Sequence, residues 1–273
     1  MLGSSSRPGE KRWALITGAS SGIGRALALR FASAGYNVLG VARDKERLGA
    51  LGAQCRQRHG VEARALPLDL SLAGAGDQLS EYLSRSGIEV GALVNNAGFG
   101  VHGFFPETGL AQELDLVRLS ISNVVELTKA VLPGMIARQT GGILNVGSVY
   151  CFAPVPHQAV YAATKAFLLS FSQALSYELK GTGVNVTLLA PGITRTEFRR
   201  RAGIEQSGRL KGADPAAVAE AGYKAFAAGR FLVVPGGTNR AFALLAGHAP
   251  MSWKASLVAA VNRSRGLHRA PTA

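Results

Sequence analysis

Short apolar runs alternate along the chain with longer stretches in which apolar residues recur every three or four positions. The short runs predict strands at Trp13–Thr17, Asn37–Ala42, Ala65–Leu68, Ala92–Val94, Gly142–Val146, Val184–Leu189 and Phe231–Val234. The longer stretches predict helices at Ile23–Ala34, Lys45–Arg58, Ala159–Lys180 and Pro215–Gly229. A long helical region is expected over Glu107–Arg138, with Pro133 kinking it or starting a new turn. Strands that are apolar throughout and separated by helices predict an α/β fold, a doubly wound parallel sheet covered on both faces. No linker or internal repeat divides the chain, so residues 13–273 are expected to form one domain behind a polar, disordered leader at 1–12. Two segments break the alternation. Residues 194–212 are Arg-rich and long for a loop, as a mobile lid would be. Residues 239–265 read as one or two short amphipathic helices, parted at Pro250.

Composition sharpens this picture at three points. The chain has 273 residues and 34 glycines, which suits one α/β domain with many tight turns. Its two cysteines, Cys55 and Cys151, form neither a disulfide framework nor a metal-ligand cluster, so no metal is expected and a cytoplasmic location fits. No apolar run is long enough to span a bilayer. The net charge is +13, and from Ala221 onward there is no Asp or Glu. A solvated basic surface, attraction of an anionic cofactor or substrate, and binding to nucleic acid or an anionic membrane all fit that charge. No recognition motif accompanies it, so nucleic acid is not an expected partner.

The chemistry concentrates at two places. Gly18, Ser20, Ser21, Gly22, Ile23 and Gly24 lie between the first strand and the first helix. Glycines there let backbone amides approach a pyrophosphate at a helix N-terminus. At the end of the second strand, Ala42 occupies the place of the carboxylate that binds ribose hydroxyls in NAD enzymes, and Arg43 follows it. A guanidinium there suits a ribose 2′-phosphate, hence NADP(H), unless Arg43 simply pairs with Asp44 or Glu46. Asp69 either accepts from the adenine amino group, with Leu70 beside it, or caps a following helix. Asn95, Ala97 and Gly98 follow the fourth strand, where small residues let backbone run close to a cofactor and Asn95 can brace neighbouring strands.

At the second place, Tyr161 and Lys165 share one helix face, and an ammonium near a phenol is expected to lower its pKa. Ser148 lies at the C-terminal end of a strand, the edge where open parallel sheets bind ligands. Phe99, Tyr150, Phe152 and His157 fall on loops at that end and predict an apolar substrate site. His157 reads as a second acid/base or as a surface loop residue, and Cys151 as a small filler. Arg199, Arg200 and Arg201 read as a solvated helix face or as partners of an anionic tail.

Taken in order, Thr17–Gly24, Asp69, Asn95–Gly98, Ser148, Tyr161/Lys165 and Pro191–Thr196 resemble the short-chain dehydrogenase/reductase family, over about residues 13–196. The resemblance implies a seven-stranded Rossmann-type sheet and an NADP-dependent oxidoreductase acting on a carbonyl or alcohol. It implies that Tyr161 is the general acid/base, Lys165 the ribose anchor and Ser148 the group polarising the substrate oxygen. Pro191, Gly192, Ile193 and Thr196 would hold the nicotinamide carboxamide. Family spacing from Leu132-Pro133 puts Ser120 where many members carry an asparagine that holds a water, and a serine hydroxyl can hold that water too. The resemblance also implies a homodimer or homotetramer paired through the Ala159–Lys180 helix, which carries Phe167, Leu168, Phe171, Leu175 and Leu179. An NADP-binding sensor or scaffold with little catalysis is the alternative function.

Overall fold

The computed structural model describes residues 12–203 and 212–264. Seven parallel strands form one sheet in the order β3-β2-β1-β4-β5-β6-β7. They are β1 (Trp13–Thr17), β2 (Asn37–Ala42), β3 (Ala63–Pro67), β4 (Val90–Asn95), β5 (Gly141–Val146), β6 (Val184–Leu189) and β7 (Leu232–Val233). The order reverses between β1 and β4, and at that switch the strand ends part to leave a crevice for ligands. Residues alternate between faces along each strand. Ala14 and Ile16 meet α1 (Gly22–Ser33), α2 (Lys45–His59) and α8 (Pro215–Ala227) through Leu27, Phe31, Leu48 and Phe226. Trp13 and Leu15 belong to the opposite layer, with α3 (Ala75–Ser86), α5 (Asn123–Ala137) and α6 (Ala159–Glu178). Both faces of the central strands are therefore dry, which is why they read as unbroken apolar runs.

Three expectations change. Helix α3 was not anticipated: Gly74 and Gly76 at its start and Gly87 at its end mask a short apolar stripe, Leu79 and Leu83. The long helical region is α4 (Leu110–Val117) running into α5, and its irregularity lies at Arg118–Ser122, not at Pro133, which sits inside α5. There the helix widens to i→i−5 bonding: the Asn123 N–H donates to Arg118 O, and Asn123 Nδ2 donates to the same carbonyl at 3.2 Å and to Leu70 O. Arg12, placed in the leader by sequence, is held in the fold: its guanidinium donates to Thr140 Oγ1 at 2.8 Å and its carbonyl accepts from Asn37 N–H. The rest of the expected leader, residues 1–11, lies outside the described residues.

After β6 the chain forms the short helix α7 (Phe198–Arg201), and an isolated bridge pairs Thr194 with Ala213 at the root of this excursion. Residues 204–211 of the expected lid lie outside the described residues. Two helices follow β7, α9 (Gly237–His248) and α10 (Met251–Ser264), parted at Pro250 as the sequence suggests. They cover the reacting end through Ala246 and Val258, which pack on Ala153, Val155 and Ala162.

Candidate active site

A cleft of about 990 Å³ runs across the C-terminal ends of the strands, from Arg43 and Asp69 at one end to Ser148, Tyr161 and Lys165 at the other. Its middle is backbone. Gly18 and Gly22 adopt φ of +66° and +55°, values that L side chains rarely take. A Cβ on Gly18 would lie 2.9 Å from Ala97 Cα, and one on Gly22 would lie 3.0 Å from Thr196 Cγ2. The turn is pinned from below. Thr17 Oγ1 accepts from the N–H groups of Asn96 and Ala97 at 3.0 Å each, and Asn96 Nδ2 donates to Thr17 O at 2.9 Å. Ser21, the N-cap of α1, makes no capping bond with its side chain, and the first turn of α1 carries no acid. That helix start therefore keeps its partial positive charge for an anion.

Ser20, Ser21, Gly22, Ile23, Leu70, Ala97, Gly98, Pro191, Gly192, Ile193 and Thr196 line the cleft, as the sequence predicts. Two expected lining residues do not. Gly24 sits behind the turn, where a Cβ would collide with Gly18 O and the Asn96 amide. Asn95 is buried as the last residue of β4 and donates to Asn145 Oδ1 at 2.8 Å, while Asn145 donates to Ser172 Oγ at 2.8 Å. It braces strands, and Asn96, one residue on, reaches the cleft in its place.

At the adenosine end, Arg43 pairs with Asp69, at 3.7 Å, not with Asp44 or Glu46. Asp69 Oδ1 accepts from Ser71 N–H at 3.0 Å and Ser71 Oγ at 2.7 Å. These bonds and the Arg43 charge hold its carboxyl below the usual range against the opposing pull of burial, the largest single influence. Asp69 thus closes a local turn and caps no helix, because α3 begins only at Ala75. Asp44 instead caps α2, accepting from Arg47 N–H at 2.9 Å.

At the other end the polar groups are buried. Ser148 begins a 3₁₀ turn, Val149–Phe152, and its Oγ accepts from Tyr150 N–H at 3.2 Å. Tyr161 is 8% exposed and Lys165 5%. Lys165 Nζ donates to Val146 O at 3.0 Å and lies 5.7 Å from the Tyr161 ring centre. Burial pushes the Lys165 ammonium down to about 8. Burial also pushes the Tyr161 phenol up, and a hydrogen bond with Ser148 only partly offsets this. The net direction is thus upward, against the lowering expected from Lys165, because burial dominates.

Phe99 and Tyr150 line this end, as expected, whereas Phe152 and His157 do not. Phe152 packs into the core beside Cys151 and Ala153. His157 turns away at φ +64°, stacks on His102 with centroids 6.1 Å apart, and accepts from Gly103 N–H through its carbonyl. Cys151 is buried, and burial raises its thiol to about 12, as suits an inert filler. Ser120 does not line the cleft; it is buried in the widened turn, its hydroxyl without a partner among the described residues. Sequence reasoning missed Phe198, whose ring lies 5.6 Å from that of Tyr161. It also missed Glu197, which accepts from Arg47 at 3.1 and 3.3 Å across 150 positions of sequence. Glu197 pairs as well with Arg200 and Arg201, so those two arginines answer an acid of their own segment.

Residues 12–207 match the short chain dehydrogenase family. The chain belongs to that family. It is 38% identical over 176 residues to a very-long-chain 3-oxoacyl-CoA reductase of Laccaria bicolor, covering 64% of this chain and 52% of that one. It is 35% identical over 194 residues to the Mus musculus protein of that name, covering 69% and 61%. The chain thus spans about half to three fifths of the length of these curated relatives. A short-chain dehydrogenase from Sphingobium yanoikuyae, solved in complex with NADPH, superposes with a TM-score of 0.78 at 34% identity, covering 96% and 98% of the two chains. Among the described residues no helix is long and apolar enough to cross a membrane, and no group of three or more His, Cys, Asp or Glu is placed to hold a metal ion.

Proposed function

We propose that this protein interconverts a ketone or aldehyde and its alcohol, using NADP(H), on a medium-to-large apolar substrate. The observation that carries this reading is the convergence of Ser148, Tyr161 and Lys165 on one end of a cleft whose middle is the Gly18–Ile23 turn. The cleft fits a dinucleotide. Side-chain-free backbone at Gly18 and Gly22 and the open N-terminus of α1 suit a pyrophosphate. Arg43, 70% exposed in its side chain, stands where a 2′-phosphate would lie, and Ser20 and Ser21 line the same cleft. Pro191, Gly192, Ile193 and Thr196 would hold the nicotinamide.

When bound, the cofactor supplies a hydride to the carbonyl carbon. The protein's part is the oxygen. Tyr161 donates its phenolic proton there, and burial keeps that proton in place at neutral pH. Ser148 Oγ donates to the same oxygen as negative charge builds. Once the proton has left, the Lys165 ammonium is the nearby charge that favours the phenolate. The unpartnered Ser120 hydroxyl would hold a water that passes protons onward. The segment carrying Glu197 and Phe198 acts as a lid, latched to α2 by the Glu197–Arg47 pair. Buried, unbridged cysteines suit a reducing cytoplasm. The stacked Phe167 and Phe171 rings and exposed Tyr177 on α6 support pairing of this helix in a homodimer or homotetramer. Light scattering at working concentration reads that assembly directly.

The test is a panel of 3-oxoacyl thioesters, steroid ketones and bulky aryl ketones with NADPH, and of the matching alcohols with NADP⁺. Turnover of at least one large ketone, with NADPH preferred over NADH, is expected. No turnover across the panel despite tight NADPH binding would leave the scaffold reading in its place.

A further inference from the structure

Helices α9 and α10 cover the reacting end with their inner faces and leave large apolar side chains outside. Ala243, Ala246 and Val258 are buried, and Tyr150 Oη donates to Asn262 Oδ1 at 3.3 Å, so the pair is tied to the site. Yet Leu244, Leu245 and Trp253 are 65%, 69% and 69% exposed. Leu244 and Leu245 stand beside each other on the outer face of α9, and Trp253 opens the next helix. An apolar group of this kind on the surface marks a partner.

The charge around it narrows the choice. Arg240 on α9 and Lys254 on α10 are the basic side chains described on these two helices, and neither helix carries an acid. We propose that α9 and α10 dock this protein on an anionic lipid surface, with Leu244, Leu245 and Trp253 entering the headgroup boundary and the basic side chains meeting lipid phosphates. Leucines and a tryptophan flanked by basic residues match the interfacial region of a bilayer, where each cation adds to an attraction that salt screens. A second copy is the poorer occupant, because the like-charged surface of its own α9 and α10 repels. Nucleic acid offers phosphates but no apolar layer for the two leucines. The exposed apolar group on α4, with Leu110 and Leu114, is different in kind: Glu107, Asp115 and Arg118 surround it with both signs of charge. Docking through α9 and α10 sets the reacting end of the cleft against the membrane, from which an amphiphilic substrate can enter.

Tryptophan fluorescence and sedimentation with vesicles test this on the full chain. Trp13 is buried, so a spectral change reports Trp253. Vesicles with about 30% phosphatidylglycerol at about 0.1 M salt should sediment the protein and shift its emission to the blue, and neutral phosphatidylcholine vesicles should do neither. Leu244→Ser with Leu245→Ser should weaken binding on the order of tenfold, and Lys254→Glu severalfold, with thermal midpoints near the parent's. Trp253→Phe should abolish the blue shift. The proposal is overturned if anionic vesicles leave emission and sedimentation unchanged, or if the double leucine variant binds like the parent. It is equally overturned if those leucine changes split an oligomer while vesicle binding stays absent. None of these readouts depends on turnover, so failure here leaves the reductase reading standing.

Discussion

The two ends of the cleft hold their polar groups in opposite surroundings. At the adenosine end, Arg43 and Asp69 form a loose ion pair at 3.7 Å with side chains 70% and 31% exposed. At the reacting end, Ser148, Tyr161 and Lys165 are each less than one tenth exposed. Water screens the first pair, so Arg43 stays free to trade Asp69 for a phosphate at little cost. In the second group desolvation dominates, driving the phenol up and the ammonium down to about 8. One end is suited to recognition that tolerates solvent, the other to proton transfer that needs its exclusion.

Changes at the buried end should cost most. Tyr161→Phe removes the proton donor and should lower kcat by about 10²–10⁴-fold, with NADPH affinity nearly unchanged by fluorescence titration. Ser148→Ala should lower kcat by roughly 10²-fold, because a donor to the developing oxyanion is lost. At the exposed end, Arg43→Ala should weaken NADPH binding on the order of tenfold while sparing NADH. That preference should shrink as salt rises, whereas the Ser148→Ala defect should not. A salt-independent Arg43 effect would erase the contrast between the two ends.

A pH titration of stability sharpens the contrast further. The folded pKa of Lys165 lies below its unfolded value, so the penalty for its buried charge is present below about pH 8. That penalty is relieved between about 8 and 10.5, and stability rises with pH through this window. Tyr161 acts in the opposite sense above about pH 10, where the unfolded chain loses its proton first and stability falls. Denaturant melts of Lys165→Met should lack the rise between pH 8 and 10.5, and an unchanged slope would contradict the burial argument. The smallest effect is expected at the lid: Glu197→Gln should accelerate cofactor release severalfold with little change in the chemical step, because its pair with Arg47 is partly exposed.

What the sequence revealed follows the same division. Gly18, Gly22, Ser148, Tyr161 and Lys165 were legible because local spacing alone puts them on one strand end, one turn or one helix face. The central strands were legible because burial on both faces makes them apolar runs, whereas β3 and β7, partly exposed at the sheet edges, showed only as short apolar stretches. Asn96 was hidden behind Asn95, since which of two adjacent asparagines faces the cleft depends on where β4 ends. The Arg43–Asp69 pair required the β2–β3 register, which sets Ala42 opposite Pro67. Glu197 and Phe198 belong to an excursion after β6, and nothing periodic in that segment tells where it folds back. The rise of the Tyr161 phenol could not be read from Tyr-x-x-x-Lys, because spacing reports proximity and not burial.

The central claim is that this cleft holds NADPH with its reactive carbon facing the carbonyl beside Tyr161. It is tested most directly by label transfer from C4-deuterated NADPH to a ketone turned over by the protein. Deuterium on the carbinol carbon of the alcohol, from one face of the nicotinamide only, is the predicted result. Product carrying solvent hydrogen at that carbon, or label lost equally from both faces, would contradict it.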